Sequence, residues 1–392
     1  MTHEYLKKPF TTSVPIYCFL VGLLGGVGSF FSFLYHPIQF YFSYLVAFMF
    51  FLTLSLGSLF FVIIQNLVRS GWSVSIRRIP EVYAMNLRLF PFLFLPILFG
   101  IGDLYYWAHP HVVLSDFILK AKSGYLNVPF FVCRALGYFV IWIWLARKFF
   151  ENSTLQDQSG AQSYTLNSQK TSTYGVILFA ITITFASIDW VMSLTPHWYS
   201  TMWGVYTFAG AIVGALSLMS LTAMFLRWKG YLATVISKEH FHDLGKLLYG
   251  FNVFWAYIAF SQYFLIWYAN IPEETIWFGQ HFHGSWNTVG IFLAVAHFAI
   301  PFLVFMSRHA KRNLPFHALV AGWMLMVHYV DTVWMISPNL HPQGLSIYWV
   351  DVSVFLAIGG LYFGFFLKTL SKAALYPLQD PRLKESLNLE VY

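Results

Sequence analysis

Long apolar stretches, repeated along almost the whole chain, limit the folds that are open to this sequence. A helix needs about 20 apolar residues to cross a bilayer core, and only 10% of the 392 residues are charged, against about 25% in soluble domains. We therefore predict an all-α, polytopic integral membrane protein that forms a single membrane domain over residues 1–392. The ten predicted spans are 14–35, 41–68, 88–107, 128–149, 174–194, 203–227, 244–269, 287–306, 315–336 and 349–370.

The net charge of +7 indicates membrane topology rather than affinity for nucleic acid. The loops on one side of the predicted bundle hold nearly all of the lysines and arginines, whereas those on the other side hold only Lys120 and Lys122. By the positive-inside rule, both termini are predicted to be cytoplasmic, and odd-numbered spans run outward. The cationic side includes Lys7, Lys8, Arg69, Arg77, Arg78, Arg88, Arg147, Lys148, Lys170, Arg227, Lys229, Lys238, Arg308, Lys311, Arg312, Lys368, Lys372, Arg382 and Lys384.

Three aspartates lie in otherwise apolar surroundings, each seven residues before a proline. A charged residue at the centre of a membrane helix costs about 2.5–3.5 kcal/mol on insertion scales, so such residues are functional candidates. If each proline marks a helix exit, the three carboxyl groups share one depth in the outer half of the membrane and form a buried polar layer. The alternative is a coincidence of helix-end prolines. The pairs are Asp103 with Pro110, Asp189 with Pro196 and Asp331 with Pro338.

Other polar residues are predicted near these carboxyl groups. His328 lies three residues before Asp331 and shares its helix face, while the fourth and eighth spans offer Arg134 and His297. A buried aspartate that faces Arg134 would stay ionised, whereas an unpaired one would tend to hold its proton. Alternating carboxyl and imidazole groups are typical of proton transfer within a membrane. The alternative is a static salt-bridge network that holds helices together.

A second polar stripe runs along the seventh predicted span. Lys246, Tyr257, Ser261 and Tyr268 fall within about 60° of one another on a helix. With Lys246 at the cytoplasmic end, the stripe predicts an inner proton entry. Ordinary packing of tyrosine and serine between membrane helices is the alternative.

Metal chemistry receives little support from the sequence. Cys18 and Cys133 are far apart and lack a Cys-x-x-Cys pattern, so iron–sulfur ligation and covalent haem attachment by this chain are not expected. A haem between His297 and His328 is an alternative that no repeated histidine pattern favours. The outer-loop histidines, including His281 and His283, are predicted to be interfacial rather than metal ligands.

Three further predictions concern segments between or beside the spans. The polar segment 151–173 is predicted to be a flexible cytoplasmic linker between the fourth and fifth helices. Segment 72–88 is predicted to be an amphipathic helix on the inner membrane surface. Nine tryptophans near the outer edge are predicted to form an interfacial belt, namely Trp107, Trp190, Trp198, Trp203, Trp267, Trp277, Trp286, Trp334 and Trp349.

Two long runs carry a resemblance to a known family. They are FASIDWVMSLTPHWYSTMWGVYTFAGA (185–211) and HDLGKLLYGFNVFWAYIAFSQYFLIWYANIPEET (242–275), and HYVDTVWMISPNLHP (328–342) extends the likeness. The chain resembles the ActF-type membrane subunits of alternative complex III, a bacterial quinol:electron-acceptor oxidoreductase. These subunits are similar to the ActC-type subunits and to the NrfD/PsrC family.

The resemblance implies ten helices arranged around four-helix bundles in the bacterial inner membrane. It implies partner subunits that carry iron–sulfur clusters and c-type haems, an ActC-like subunit, and in some systems an associated terminal oxidase. Menaquinol or ubiquinol is the implied substrate of the complex, and no cofactor ligand transfers onto this sequence. Among family members, a proton-conducting role is proposed for this type of subunit.

Three hypotheses result. The chain supports quinol oxidation or proton translocation in a respiratory complex, through Asp189, His328 and Asp331 with Arg134 tuning their charge. Alternatively, it is a passive scaffold in the same complex. A proton-coupled secondary transporter is the third hypothesis, disfavoured because the aspartates recur on helices of the same direction and lie away from the membrane centre.

Overall fold

The computed structural model describes residues 13–390, and the described chain is built from helices joined by turns and short loops. Lys7 and Lys8, which contribute to the topology prediction, lie outside the described residues. The long helices are α1 Ser13–Tyr35, α2 Pro37–Leu67, α3 Val74–Met85, α4 Val128–Ser159, α5 Ser163–Trp190, α6 Trp203–Trp228, α7 Lys238–Ala269, α8 Trp286–Met306, α9 Leu314–Ile336 and α10 Trp349–Leu370.

The prediction of an all-helical, multi-pass membrane protein is confirmed in its coarse form. Within residues 13–390, nine helices are long and apolar enough to cross a membrane. The predicted span missing from these nine is the seventh, 244–269, which corresponds to α7. The tyrosine, tryptophan, asparagine and glutamine side chains of α7 lower its mean hydropathy. The third candidate span covers Val74–Phe99 and so begins before the predicted 88–107.

Helix α2 forms the centre of the fold. Nearly every residue from Phe40 to Asn66 is buried, because α3, α5, α6, α9 and α10 all pack against this helix. The closest approach is to α6, where an added Cβ at Gly57 would come within 2.2 Å of the Ala211 carbonyl oxygen. Small residues at such crossings let membrane helices approach closely. The resulting van der Waals contacts stabilise the helix pair, because the hydrophobic effect does not drive helix association within lipid.

The chain between α3 and α4 is broken into short helices. Phe90–Leu93, Leu95–Phe99 and Ile101–Leu104 succeed one another, because Pro91 and Pro96 lack the N–H group that a continuous helix requires. Asp103 lies in the last of these turns and is exposed. The prediction of Asp103 in a buried polar layer is therefore wrong, since the chain has already left its regular helix there.

Segment 151–173, predicted to be a flexible linker, is instead helical except for a tight turn at residues 160–162. Gly160 ends α4 in the left-handed conformation, with φ of 66°, as is common at helix C-termini. Across the hairpin, Asn152 donates to Ser168 at 3.2 Å and Gln156 donates to Thr165 at 2.7 Å. The polar composition therefore holds α4 and α5 together rather than leaving them unstructured.

Helix α3 is enclosed by protein, so its predicted position on the membrane surface is wrong. The Arg78 side chain is fully buried and pairs with Asp157 of α4 at 2.5 Å. Arg77 pairs with Asp380 of the C-terminal segment and, at 3.3 Å, with Glu81. Carboxylates from two other parts of the chain thus neutralise these guanidinium groups, and this pairing allows their burial.

The tryptophans near the predicted outer edge form packed clusters more than an interfacial belt. Trp267 and Trp349 are exposed, whereas the other seven are each at most 7% exposed. Trp198 stacks on Trp277 with ring centroids 5.1 Å apart, and Trp277 meets Trp334 edge-to-face at the same separation. This end of the fold is therefore a rigid aromatic core.

The contact between α2 and α6 predicts a steric effect at Gly57. The Gly57→Ala variant should lower the free energy of unfolding by about 1–3 kcal/mol, because the added methyl group meets backbone that cannot move aside. Thermal unfolding of the detergent-purified protein measures this. The matched control is Gly137→Ala on α4, where an added Cβ meets no atom within 4 Å. A Gly57→Ala variant as stable as the control would contradict the close packing.

Candidate functional site

Asp189 and Arg134 form a buried ion pair between α5 and α4. Arg134 Nε donates to Asp189 Oδ2 at 2.8 Å and Nη2 donates to Oδ1 at 2.9 Å, which is the bidentate arrangement that best fits a guanidinium to a carboxylate. The Tyr138 hydroxyl adds a third hydrogen bond to Oδ2 at 2.7 Å. Both carboxyl oxygens are therefore fully engaged.

The guanidinium of Arg134 is fixed from its other sides as well. It lies over the rings of Tyr125 and Phe130, with centroids 3.9 and 4.3 Å from its central carbon. Its Nη1 atom donates to the Tyr125 carbonyl oxygen at 2.9 Å. The sequence left two roles open for this pair, proton transfer and a static salt bridge. The geometry favours the static salt bridge, because moving a proton to Asp189 would disrupt these contacts.

Asp331 is equally buried, yet its surroundings differ. The carboxyl group is 1% exposed and accepts a hydrogen bond at Oδ1 from the Tyr206 hydroxyl of α6. Within the described chain, neither a lysine nor an arginine forms an ion pair with it. A negative charge here would be costly because no cation neutralises it. Asp331 is thus a carboxyl group suited to holding and releasing a proton.

His328 presents an unused nitrogen beside Asp331. The Thr53 hydroxyl donates to the Phe50 carbonyl oxygen at 2.8 Å, so at 3.0 Å it accepts from His328 Nε2–H. This assignment leaves Nδ1 as a free acceptor, and Nδ1 has no hydrogen-bond partner among the described residues. His328 and Asp331 share the buried face of α9, as predicted.

Two glycines of α6 make room for these groups. An added Cβ at Gly214 would come within 2.6 Å of the His328 ring, so only glycine leaves space for the imidazole there. At Gly210, an added Cβ would lie 3.4 Å from His328 Nδ1 and 3.7 Å from Asp331 Oδ2. The two polar atoms therefore border one small space, which the absent side chain of Gly210 keeps open.

His297 reaches the same region through an irregular turn of α8. Residues Ala294–Ala299 form a π-helical turn, a feature that often marks functional positions. The imidazole is fully buried, stacks on Trp255 at 3.7 Å between ring centroids, and donates from Nδ1 to the Asn252 side-chain oxygen at 3.3 Å. Its Nε2 atom has no partner among the described residues.

We call the group made by these side chains the polar cluster; it consists of Thr53, Tyr206, Asn252, Trp255, His297, His328 and Asp331. It gathers three of the predicted residues and leaves out Asp103, Asp189 and Arg134, so the predicted shared layer of three aspartates is wrong. Tyr206, Thr53 and Asn252 were missed because each acts through a partner on another helix. The one available signal was the four-residue spacing of Gly210 and Gly214 on α6.

A cavity of about 820 Å³ borders the polar cluster between α7 and α8. Its wall includes Tyr206 and Trp255 of the cluster, together with the amide side chains of Gln262 and Asn287. The remaining wall is mostly apolar and aromatic. Sites for small molecules typically have this size and this balance of apolar surface with a few polar groups.

The predicted stripe on α7 lies mostly at the protein surface. Lys246 is half exposed and pairs with Asp243 at 2.5 Å, one turn along its own helix. Tyr257 is 64% exposed and Ser261 is only partly buried. The opposite face, with Asn252 and Trp255, packs inward. Of the four stripe residues, only Tyr257 borders the 820 Å³ cavity, and a proton entry along the stripe stays a prediction.

Three histidines near the outer loops, His109, His197 and His341, form contacts with protein groups. His197 Nε2 lies 2.6 Å from Asp116 Oδ2, and this hydrogen bond holds the pKa of Asp116 below its ordinary value. His109 contacts the Gly102 carbonyl oxygen at 2.9 Å. No group of three or more metal-ligating side chains occurs among residues 13–390. A haem between His297 and His328 does not fit either, because Trp255 and Gly214 pack against their rings.

No protein-family model and no curated protein sequence matches this chain. What the polar cluster can do chemically therefore has to be deduced from its own groups. One carboxyl, one phenol and two imidazoles with free nitrogen atoms provide several positions for a proton, and no redox ligand is needed to explain them.

The ion pair between α4 and α5 predicts different outcomes for the two buried aspartates. The Asp189→Asn variant leaves Arg134 buried without its counter-charge and should lose about 3–5 kcal/mol of stability. The Asp331→Asn variant leaves no cation behind and should lose much less. Thermal unfolding in detergent compares the two. The double variant Arg134→Gln/Asp189→Asn should recover part of the loss, and equal stabilities for both single variants would contradict this description of the site.

The buried His281 predicts a pH dependence at the aromatic end of the fold. Burial lowers its pKa to about 4 from 6.5, so its folded-state pKa lies below the unfolded one. Stability is then complete above pH 6.5 and falls as the pH drops towards 4, by up to about 1.4 kcal/mol per pH unit. Unfolding temperatures between pH 7 and pH 4.5 test this. His281→Phe should show a shallower decline, and an identical decline in both proteins would refute the assignment.

Proposed function

We propose that this chain is a membrane subunit of a respiratory quinol:electron-acceptor oxidoreductase of the alternative complex III type. In this role it accepts and passes on protons through His297, His328 and Asp331. The observation that carries the proposal is the fully buried carboxyl group of Asp331, which has a phenol partner, no cation, and an imidazole acceptor across a small shared space. The resemblance of the two long runs supplies the type of complex.

The polar cluster has the features that proton transfer requires. His328 Nδ1 carries a free lone pair, while Nε2–H is held by Thr53, so the ring can take up a proton on one side and release one on the other. Tyr206 links Asp331 to the cavity wall. When a proton moves within the cluster, the charge that it leaves on Asp331 or places on His328 has a polar neighbour, Tyr206 or Thr53.

The cavity beside the cluster fits the head of a quinol. Gln262 and Asn287 offer donors and acceptors, Tyr206 offers a hydroxyl, and the aromatic wall suits a flat ring. When bound, a quinol supplies two electrons and two protons. The residues of this chain would orient the ring, and its two protons would pass through the Tyr206–Asp331 pair to the free imidazole nitrogens of His328 and His297. The two electrons would leave to iron–sulfur and haem groups of partner subunits.

The proposal includes the setting that the resemblance implies. The chain would lie in a bacterial inner membrane with both termini in the cytoplasm, beside an ActC-like subunit and outer-face redox subunits. A passive scaffold in the same complex is the second candidate, and the Arg134–Asp189 pair favours it, because that pair is built for rigidity rather than for proton exchange.

Substitution at Asp331 tests the proton role directly. In complexes purified from native membrane through a tag on this chain, Asp331→Asn should retain its haem-containing partners yet lose quinol oxidation or coupled proton release by about 10²-fold or more, as expected for a lost proton-transfer group. Haem staining, a quinol-oxidation assay and pH-dye measurements in vesicles provide the readouts. Gly210→Ala, which fills the space between His328 and Asp331, should also reduce proton release.

The matched control is Asp103→Asn, the same change at an exposed carboxyl group, which should leave assembly and activity unchanged. Full activity in an assembled Asp331→Asn complex would contradict the proton-transfer role and support the passive scaffold. If the chain purifies alone, without haem partners or quinol oxidation, the respiratory assignment is wrong and a proton-coupled transporter becomes the leading hypothesis.

A further inference from the structure

A second large cavity, of about 570 Å³, lies on the other side of α9 from the first, among α2, α9 and α10. Its walls are apolar except at one end, where Gln39, Ser43, His341 and Asp351 meet. The chain from Leu345 to Ile347 covers this end. The cavity therefore has the shape expected for a molecule with a polar head and a long apolar tail.

The polar end is organised around the Asp351 carboxylate. Ser43 donates to Oδ1 at 2.5 Å, and the Tyr348 backbone N–H donates to Oδ2 at 2.8 Å. Gln39 Nε2 lies 3.5 Å from Oδ1, and its side-chain oxygen contacts His341 Nε2 at 2.6 Å. The hydroxyl, backbone N–H and amide groups all donate hydrogen bonds to the carboxylate, and none of them belongs to a lysine or an arginine.

This carboxylate lacks a counter-charge. Neither lysine nor arginine occurs among the described residues that line the cavity, and no described lysine or arginine pairs with Asp351. Because a partly buried charge is stabilised by an opposite charge, the polar end is complementary to a cationic group. An anionic head group alone would be repelled.

The cavity runs along one face of α2, from the polar end at Gln39 and Ser43 into the apolar part. The lining residues Gln39, Ser43, Val46, Phe50 and Leu54 recur every three or four positions, which places them on one side of the helix. They extend over about 22 Å at 1.5 Å per residue. The apolar residues Val46 to Leu54 account for about 12 Å of this length, so the cavity suits a polar head group followed by part of an extended acyl chain.

The cavity also opens towards the lipid. Val352 and Met326 belong to its lining, and they are 56% and 46% exposed. Exposed apolar side chains at the mouth let an acyl chain pass from the bilayer into the groove without crossing a polar surface.

We propose that this cavity is a specific site for a phospholipid with a primary ammonium head group, phosphatidylethanolamine, whose ammonium lies against Asp351 and whose acyl chain lies along α2. The ammonium group brings one positive charge and three hydrogen-bond donors to a carboxylate that has no cation. A choline head group brings the charge without the donors and binds less tightly. The site is independent of the proposed function, because it shares no residue with the polar cluster.

Two variants separate the head-group contact from the tail contact. Asp351→Asn removes the charge but keeps an acceptor for the Tyr348 N–H group, so α10 retains its N-terminal cap. Gly322→Leu fills the apolar part, since Gly322 lines the cavity and an added Cβ there meets no atom within 4 Å. Gly137→Leu is the matched control, an equally open glycine on α4 that does not line the cavity.

The experiment measures bound lipid by mass spectrometry of the protein purified in mild detergent and then exchanged with equal amounts of phosphatidylethanolamine and phosphatidylcholine. The wild type and Gly137→Leu should retain about one phosphatidylethanolamine per chain. Asp351→Asn should lose most of the preference over phosphatidylcholine, by about tenfold, as for loss of one charge-assisted hydrogen bond. Gly322→Leu should lose the bound lipid.

Equal retention of the two lipids by the wild type, or unchanged binding in both Asp351→Asn and Gly322→Leu, would overturn the proposal. A quinone found in place of phospholipid in the native preparation, and lost in Gly322→Leu, would also overturn it. Quinol oxidation in the same preparations distinguishes the two proposals, since Gly322→Leu should lose lipid without losing a proton-transfer group.

Discussion

The close approach of α2 and α6 is the contact on which the rest of the structure depends. In a bilayer, apolar side chains gain little by leaving lipid for another helix, so packing relies on backbones that come near one another. Gly57 provides this contact directly. On the facing surface, Gly214 leaves room for the imidazole ring of His328, and Gly210 leaves a small space between His328 and Asp331. A packing device and a polar site therefore share one surface of α6.

Two aspartates with the same burial have acquired opposite characters from their neighbours. Asp189 receives two guanidinium donors and a phenol, which fix its charge and its position. Asp331 receives a phenol and has no lysine or arginine partner among the described residues, so no cation fixes its charge. Burial by itself therefore does not decide whether a membrane carboxyl group is structural, since the presence of a cation within hydrogen-bonding distance makes the difference. The first half of the chain holds the aspartate that is paired with arginine, and the second half holds the aspartate that has no cation beside it.

Hydropathy was sufficient to predict the number and nature of most helices, and three-residue spacing was sufficient to place His328 beside Asp331. Contacts between helices were beyond such reasoning, so Tyr206 and Asn252 were missed. On α7, periodicity identified a polar stripe but could not tell which face points inward. For residues 151–173, polar composition suggested a linker, whereas the hydroxyl and amide groups pair across a hairpin. The burial of Asp103 was misjudged because two prolines end regular helix before it.

The π-helical turn of α8 gives the position of His297 an unusual origin. Such a turn holds one more residue than an α-helical turn, and each extra residue rotates the rest of the helix by about 100° around its axis. His297 faces Asn252 and Trp255 because of this local surplus of backbone, as well as because of its side-chain type. The geometry of the polar cluster is thus sensitive to the spacing of residues in α8. Inserting or deleting one residue in this turn would therefore rotate the rest of α8 and present a different face of the helix to α7.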